Sequence, residues 1–120
     1  FRNLEAQTVV ELAQTGGKVI STGGGVIKNP QNILNFKKTG IVLYLKSSPE
    51  RIYNNLKNDN SRPLLEGGDK MEKIKSILAE RIPLYEKYSD ITVDVSTGTI
   101  REITERILKA LEEVLWKKYV

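Results

Sequence analysis

The 120-residue sequence has no cysteine and no histidine. Disulfide staples and thiolate metal sites are thereby excluded, and zinc chemistry of the usual kind has no ligands. No apolar run approaches the ~18 residues of a membrane span, and no signal peptide is visible, so a cytoplasmic setting is expected. The only methionine is Met71, and the chain opens at Phe1-Arg2 inside what reads as a helix already under way. We therefore expect a piece of a longer protein. Basic runs interleaved with aromatic residues are missing too, so nucleic acid is not an expected partner. Two phosphate-binding patterns also fail. A dinucleotide fingerprint built on Gly23 and Gly25 needs glycine or alanine at position 28, where Lys28 stands. A P-loop needs Gly-x-x-x-x-Gly-Lys-Ser/Thr, but Gly17-Lys18 is followed by Val19 and has Leu12 in the first glycine's place.

What is present is an ordinary soluble composition, 39% hydrophobic and 28% charged, enough for one domain with a core. A net charge of +4 suits phosphorylated ligands or small organic anions. The organising stretch is Val19-Ile20-Ser21-Thr22-Gly23-Gly24-Gly25, a β-branched run that stops at three glycines. Glycine lets a ligand approach the main chain closely, and in open parallel sheets ligands sit outside the carboxyl ends of strands. A plain strand-ending turn is the alternative.

Periodicity predicts a helix over residues 1–15, with Ala6, Val9, Val10 and Ala13 inward, then a strand over Lys18–Ser21. Asn29-Pro30 is an N-cap with proline at the first helical position, and Ile33, Leu34 and Phe36 supply that helix's buried side. Ile41–Leu45 reads as a central parallel strand covered on both faces. Ser47 or Ser48 caps the next helix, with Glu50 completing a box to Ser47 and Ile52 and Leu56 inward. Residues 58–69, with glycines at one end and Arg62-Pro63-Leu64-Leu65 inside, form a candidate lid. Asp69 caps a long helix with a stripe of Met71, Ile74, Ile77, Leu78, Ile82 and Tyr85, which Pro83 should kink or end. Asp90–Val95 is a strand. Thr99 and Glu102 box the last helix, whose Ile100, Ile103, Ile107, Leu111 and Val114 face inward. Helices between successive strands imply parallel pairing and a three-layer α/β/α sandwich.

Three arginines stand out. Arg81 falls on the apolar stripe, so it either snorkels to solvent or aims a fork at a ligand carboxylate or phosphate. Arg2 and Glu5 are either a surface helix pair or a fork held in one rotamer by its carboxylate. Arg62 is either a solvated loop residue or a lid cation that closes over phosphates.

Taken in order, Phe1-Arg2-x-x-Glu5, Thr22-Gly23-Gly24-Gly25, Arg62-Pro63-Leu64-Leu65 and Arg81-x-Pro83-Leu84-Tyr85 resemble shikimate kinase over nearly the whole chain. Ser89-Asp90 stands where that family commonly has Ala-Asp. The resemblance implies a P-loop kinase fold of the nucleoside-monophosphate-kinase type with its N-terminal strands missing. Residues 1–120 would then be a partial domain. The implied reaction is transfer of the ATP γ-phosphoryl to the 3-hydroxyl of shikimate, with Mg²⁺, in aromatic amino acid biosynthesis. By the same resemblance Arg2, Gly24 and Arg81 bind shikimate, supported by Glu5, Gly23 and Gly25. Arg62 is the catalytic lid arginine on ATP. The family's P-loop and acidic motif precede Phe1, so this chain is expected to hold no metal ligands and to be inactive alone. The family's P-loop strand lies between Lys18–Ser21 and Ile41–Leu45, leaving two unpaired edges. We expect the missing N-terminal portion to come from another piece of chain and not the two strands to close up. A gluconate-type kinase or a non-catalytic acceptor-binding module are the alternatives.

Overall fold

In the computed structural model the described residues are 1–56 and 69–119. Helices and strands alternate along them: α1 (Arg2–Ala13), a 3₁₀ turn (Gly24–Lys28), α2 (Pro30–Lys37), β1 (Leu43–Lys46), α3 (Pro49–Leu56), α4 (Lys70–Tyr88), β2 (Ile91–Asp94) and α5 (Ile100–Tyr119). The candidate lid and its Arg62 lie outside the described residues, save Asp69.

Strands β1 and β2 pair in parallel, Leu43 opposite Ile91 through Lys46 opposite Asp94. The α/β character read from the sequence is therefore what the chain adopts. The ladder begins on Asp90. Its amide and that of Ile91 donate to the Val42 carbonyl at 2.8 and 3.2 Å, while its carboxylate accepts from the Val42 amide at 2.8 Å. Lys37 Nζ sits 3.4 Å from the same carboxylate. One side chain thus ties α2, β1 and β2 together at the start of the sheet.

Helix starts follow the capping chemistry of the sequence. Asn29 Oδ1 accepts from Gln31 N at 3.2 Å, with Pro30 opening α2. Asp69 Oδ1 accepts from the Met71 and Glu72 amides at 2.9 and 3.4 Å. Thr99 and Glu102 exchange bonds of 3.2 and 3.3 Å, a complete capping box. Of the two cap candidates of α3 the second is used, and the box expected between Ser47 and Glu50 is not seen among the described residues. Ser48 Oγ, not Ser47, accepts from the Arg51 amide at 3.1 Å, and the buried Ser47 hydroxyl has no partner among the described residues.

The core joins Val9 of α1, Val26 and Ile27 of the 3₁₀ turn and Ile33 of α2, packed against Phe36, Val42, Leu84, Tyr85 and Tyr88. Several inward assignments are overturned. Val10, Leu34 and Ile100 are exposed, the last at 83%. Val10 lies about 100° around α1 from Val9, and Ile100 opens α5, where Cβ vectors point back past the helix end. Pro83 does not end α4, which continues to Tyr88. Lys18–Ser21 forms no strand, since no described segment offers it a ladder, and Val19 is fully exposed. That segment and β1 do not close up on each other. Nor is β1 covered on both faces: Tyr44 is buried while Leu45 is half exposed. No helix among the described residues is long and apolar enough to cross a membrane.

Candidate functional site

The glycine run enters the core through its own continuation. Val26 and Ile27 are almost wholly buried, which anchors the 3₁₀ turn with about 1.5–3 kcal/mol per side chain. Beneath them Asn32, 1% exposed, donates its Nδ2 to the Val26 carbonyl at 3.1 Å. Periodicity gave no hint of Asn32, because an amide on an apolar face reads as an exception until its carbonyl partner is seen.

Two helices reach the turn from above. At the start of α1, Arg2 Nη1 donates to the Gly25 carbonyl at 3.1 Å and to Glu5 Oε1 at 2.9 Å. The guanidinium lies so flat on the main chain that a Cβ built on Gly25 would stand 2.5 Å from Nη2 and 2.9 Å from Nη1. Any side chain at 25 would displace Arg2. From α4, Tyr85 Oη donates to the Gly24 carbonyl at 2.6 Å. A Cβ on Gly24 would meet that hydroxyl at 3.1 Å and Arg81 Nη1 at 3.3 Å. Gly23 differs: its φ of −70° is open to any residue, and a Cβ there would touch nothing within 4 Å.

The structure thus brings together Arg2, Glu5, Gly24, Gly25 and Arg81, drawn from three distant segments. Glu5 fixes Arg2 in a rotamer that the Gly25 carbonyl also holds, so the pair is more than two charges on a helix surface. Arg81 emerges at the rim of the core, one turn before Leu84 and Tyr85, and has no hydrogen-bond or ion-pair partner among the described residues. Its fork faces the glycine turn with its donors unspent. Two guanidinium groups beside an open backbone suit a small carboxylate, the anion that a planar fork grips with two bonds.

The support for Tyr85 comes from the sheet. Its ring lies 4.8 Å from that of Tyr44 on β1, tilted by 34°. Burial pushes the Tyr44 phenol above its ordinary pKa, with Lys46 pulling the other way. Lys46 Nζ in turn bonds Glu86 Oε1 at 2.9 Å, linking β1 to α4 beside the tyrosine pair, and this bond raises the lysine's own pKa. The sequence put Tyr85 on the inward stripe of its helix and assigned it no role at the site; the reach of its hydroxyl to a backbone carbonyl 61 residues away is set by tertiary packing.

At the carboxyl end of β2 the turn before α5 is also held by guanidinium groups. Arg51 donates Nη1 and Nη2 to the Ser96 and Gly98 carbonyls, each at 3.2 Å. Arg106 Nη1 donates to the Asp94 carbonyl at 2.8 Å. Gly98 has φ +102°, and a Cβ there would stand 2.5 Å from Arg106 Nη2, so glycine is required twice over. The Ser96 hydroxyl and amide both donate to the Asp94 carboxylate and hold its pKa below the usual carboxylate range.

Residues 1–112 match the family model described as shikimate kinase. The chain is similar to the shikimate kinase of Caldanaerobacter subterraneus subsp. tengcongensis, 41% identical over 92% of this chain and 64% of that protein. To the shikimate kinase of Thermoanaerobacter pseudethanolicus it is 43% identical, with the same coverage of 92% and 64%. Among solved structures it resembles shikimate kinase from Acinetobacter baumannii in complex with shikimate. The TM-score there is 0.87 at 31% identity, over 100% of this chain and 65% of that one. The Bacteroides thetaiotaomicron shikimate kinase gives a TM-score of 0.77 at 27% identity, over 95% and 66% of the respective chains. The chain therefore spans a little under two thirds of the length of these relatives.

Proposed function

We propose, for a chain that belongs to the shikimate kinase family, that it forms the acceptor-binding part of an enzyme that phosphorylates the 3-hydroxyl of shikimate from ATP. The observation that carries this reading is the convergence of Arg2 and Arg81 on Gly24 and Gly25. The shikimate carboxylate bridges the free edge of the Arg2 fork and Arg81, which has no partner among the described residues. The ring then rests on the glycine backbone, where a Cβ would intrude. Shikimate is also the molecule named with the Acinetobacter baumannii structure.

The donor half of the reaction fits the described residues poorly. The sequence has no Gly-x-x-x-x-Gly-Lys-Ser/Thr, and among the described residues no three acidic side chains converge on a point where an ion could sit. Mg²⁺ and the ATP phosphates are therefore assigned to the remainder of the domain, the partner this chain needs. Arg62 is proposed as the lid arginine that meets the ATP phosphates. A cytoplasmic setting in aromatic amino acid biosynthesis completes the proposal.

Calorimetry with shikimate and no ATP tests it. Each charge-assisted pair is worth about 1.5–3 kcal/mol, so Arg81→Ala and Arg2→Ala should each weaken binding by about 10- to 100-fold. Gluconate, which shares the carboxylate but not the ring, should bind far more weakly. Unchanged shikimate affinity in Arg81→Ala, or equal affinity for gluconate, would remove the assignment.

A further inference from the structure

Arg81 has no hydrogen-bond or ion-pair partner among the described residues, and the carbonyl of Gly24, the glycine it stands against, is already taken by Tyr85. Tyr85 Oη donates its single proton to Gly24 O at 2.6 Å, and it stands with Arg81 Nη1 around one point, 3.1 and 3.3 Å from the place a Gly24 Cβ would occupy. The neighbouring carbonyl, Gly25 O, is occupied in turn by Arg2. The ring of Tyr85 cannot drift off, because it is stacked on Tyr44 and packed in the core. Gly24 is exposed, so a carbonyl that loses the phenol is open to water and to any cation beside it, and a charge-assisted bond from a guanidinium is the stronger of the two. For Gly24 O that cation is Arg81, whose Nη1 stands 3.3 Å from the Cβ position of the same residue.

We infer that Tyr85 is a positioning residue whose hydroxyl saturates the Gly24 carbonyl and so keeps the Arg81 guanidinium unspent for the carboxylate ligand. The inference rests on the acceptor-binding reading above, and it adds a role that the ring alone does not explain. A phenylalanine at 85 would keep the stack with Tyr44 and the core contacts. It would release Gly24 O, and Arg81 would turn onto it, self-quenched by the backbone it now faces.

The experiment uses this chain and Tyr85→Phe, with ¹⁵N NMR of the Arg81 guanidinium read without ligand and shikimate affinity read by calorimetry. The expected result is an altered Arg81 guanidinium resonance with slowed proton exchange. Shikimate affinity should fall about 10-fold, equivalent to one hydrogen bond, with the thermal midpoint unchanged. Tyr85→Phe should be non-additive with Arg81→Lys and additive with Arg2→Lys, because it acts through Arg81 only. Unaltered Arg81 signals, or equal losses in both arginine backgrounds, would overturn the inference. If the wild-type chain takes no shikimate, the acceptor-binding reading fails, while the ligand-free NMR arm still decides the hydroxyl's role. Should Tyr85→Phe fail to fold, Gly24→Ala crowds the same hydroxyl–carbonyl bond from the other side. It should produce the same Arg81 signature, and its absence would count equally against the inference.

Discussion

At the scale of single residues, the three adjacent glycines separate into three different physical cases. Gly25 lies under the Arg2 guanidinium and Gly24 between Tyr85 and Arg81, whereas Gly23 faces open space with ordinary backbone angles. Gly25→Ala is therefore expected to swing Arg2 off its carbonyl and weaken the proposed shikimate binding by about 10-fold or more. Gly23→Ala should instead raise stability by about 0.4–1 kcal/mol through the unfolded chain, with the melting midpoint as the measure. Equal effects of the two substitutions would contradict this division. The sequence announced the triplet as one feature; only the positions of Arg2, Arg81 and Tyr85 around it tell its members apart. Asn32 shows the opposite failure, a polar residue that packing buries completely because a carbonyl of the glycine turn waits for its amide. Arg81 was legible as a question: a cation on an apolar stripe either snorkels or aims at a ligand, and the structure adds that its Nη1 stands beside the glycine turn.

Among whole elements, helix starts were read well because a cap is a local transaction between residues two or three apart. Asn29, Asp69 and the Thr99–Glu102 box stand as their side chains dictate, each worth about 1 kcal/mol. Strands were read less well, since a strand is half of a pairing and its partner is distant in sequence. Ile91–Asp94 has β1 beside it; Lys18–Ser21 has no described neighbour and carries no ladder. The turn between β2 and α5 gives this scale its prediction. The Asp94 pKa is lowered chiefly by the Ser96 hydroxyl, then by the Ser96 amide, with Arg106 adding to both. A depressed carboxylate contributes order above its unfolded pKa and loses it as pH falls through the folded one. The Ser96 amide resonance should therefore hold steady through the ordinary aspartate range and shift only at more acidic pH. A midpoint at or above the usual carboxylate value would show that the Ser96 bonds do not hold in solution.

For the whole molecule, the surface area is the telling quantity. The chain exposes 8543 Å² at 13.6 kDa, against about 6,600 Å² for a compact monomer of that mass. The surplus, about 1,900 Å², is more than twice the area of about 800 Å² that one partner buries in a protein–protein interface of ordinary size. Phe1, Leu4, Val19, Leu108 and Trp116 contribute to it, all large apolar side chains more than half exposed. The chain is accordingly expected to self-associate as concentration rises, seen as a sedimentation coefficient that climbs with loading. A coupled ADP-release assay on the isolated chain should give negligible turnover with shikimate and ATP. Normal turnover, or a concentration-independent monomer that excludes hydrophobic dyes, would show that the fold closes over this surface by itself. The α/β class and parallel pairing were visible in the alternation of elements. How much of each apolar stripe would be covered was not, because periodicity marks a face without naming what lies against it.

Asp90 gives these scales a common dependence. Its carboxylate meets one backbone amide of the incoming strand and one lysine of the preceding helix, and both fit only one phase of the ladder. Slide β1 by a single residue and Tyr44 would turn outward, taking away the ring on which Tyr85 leans. The phenol would then miss Gly24, and a guanidinium two elements away would lose its bearing. An indexing pin at the start of the sheet thus sets the bearing of an arginine on which the proposed grip depends.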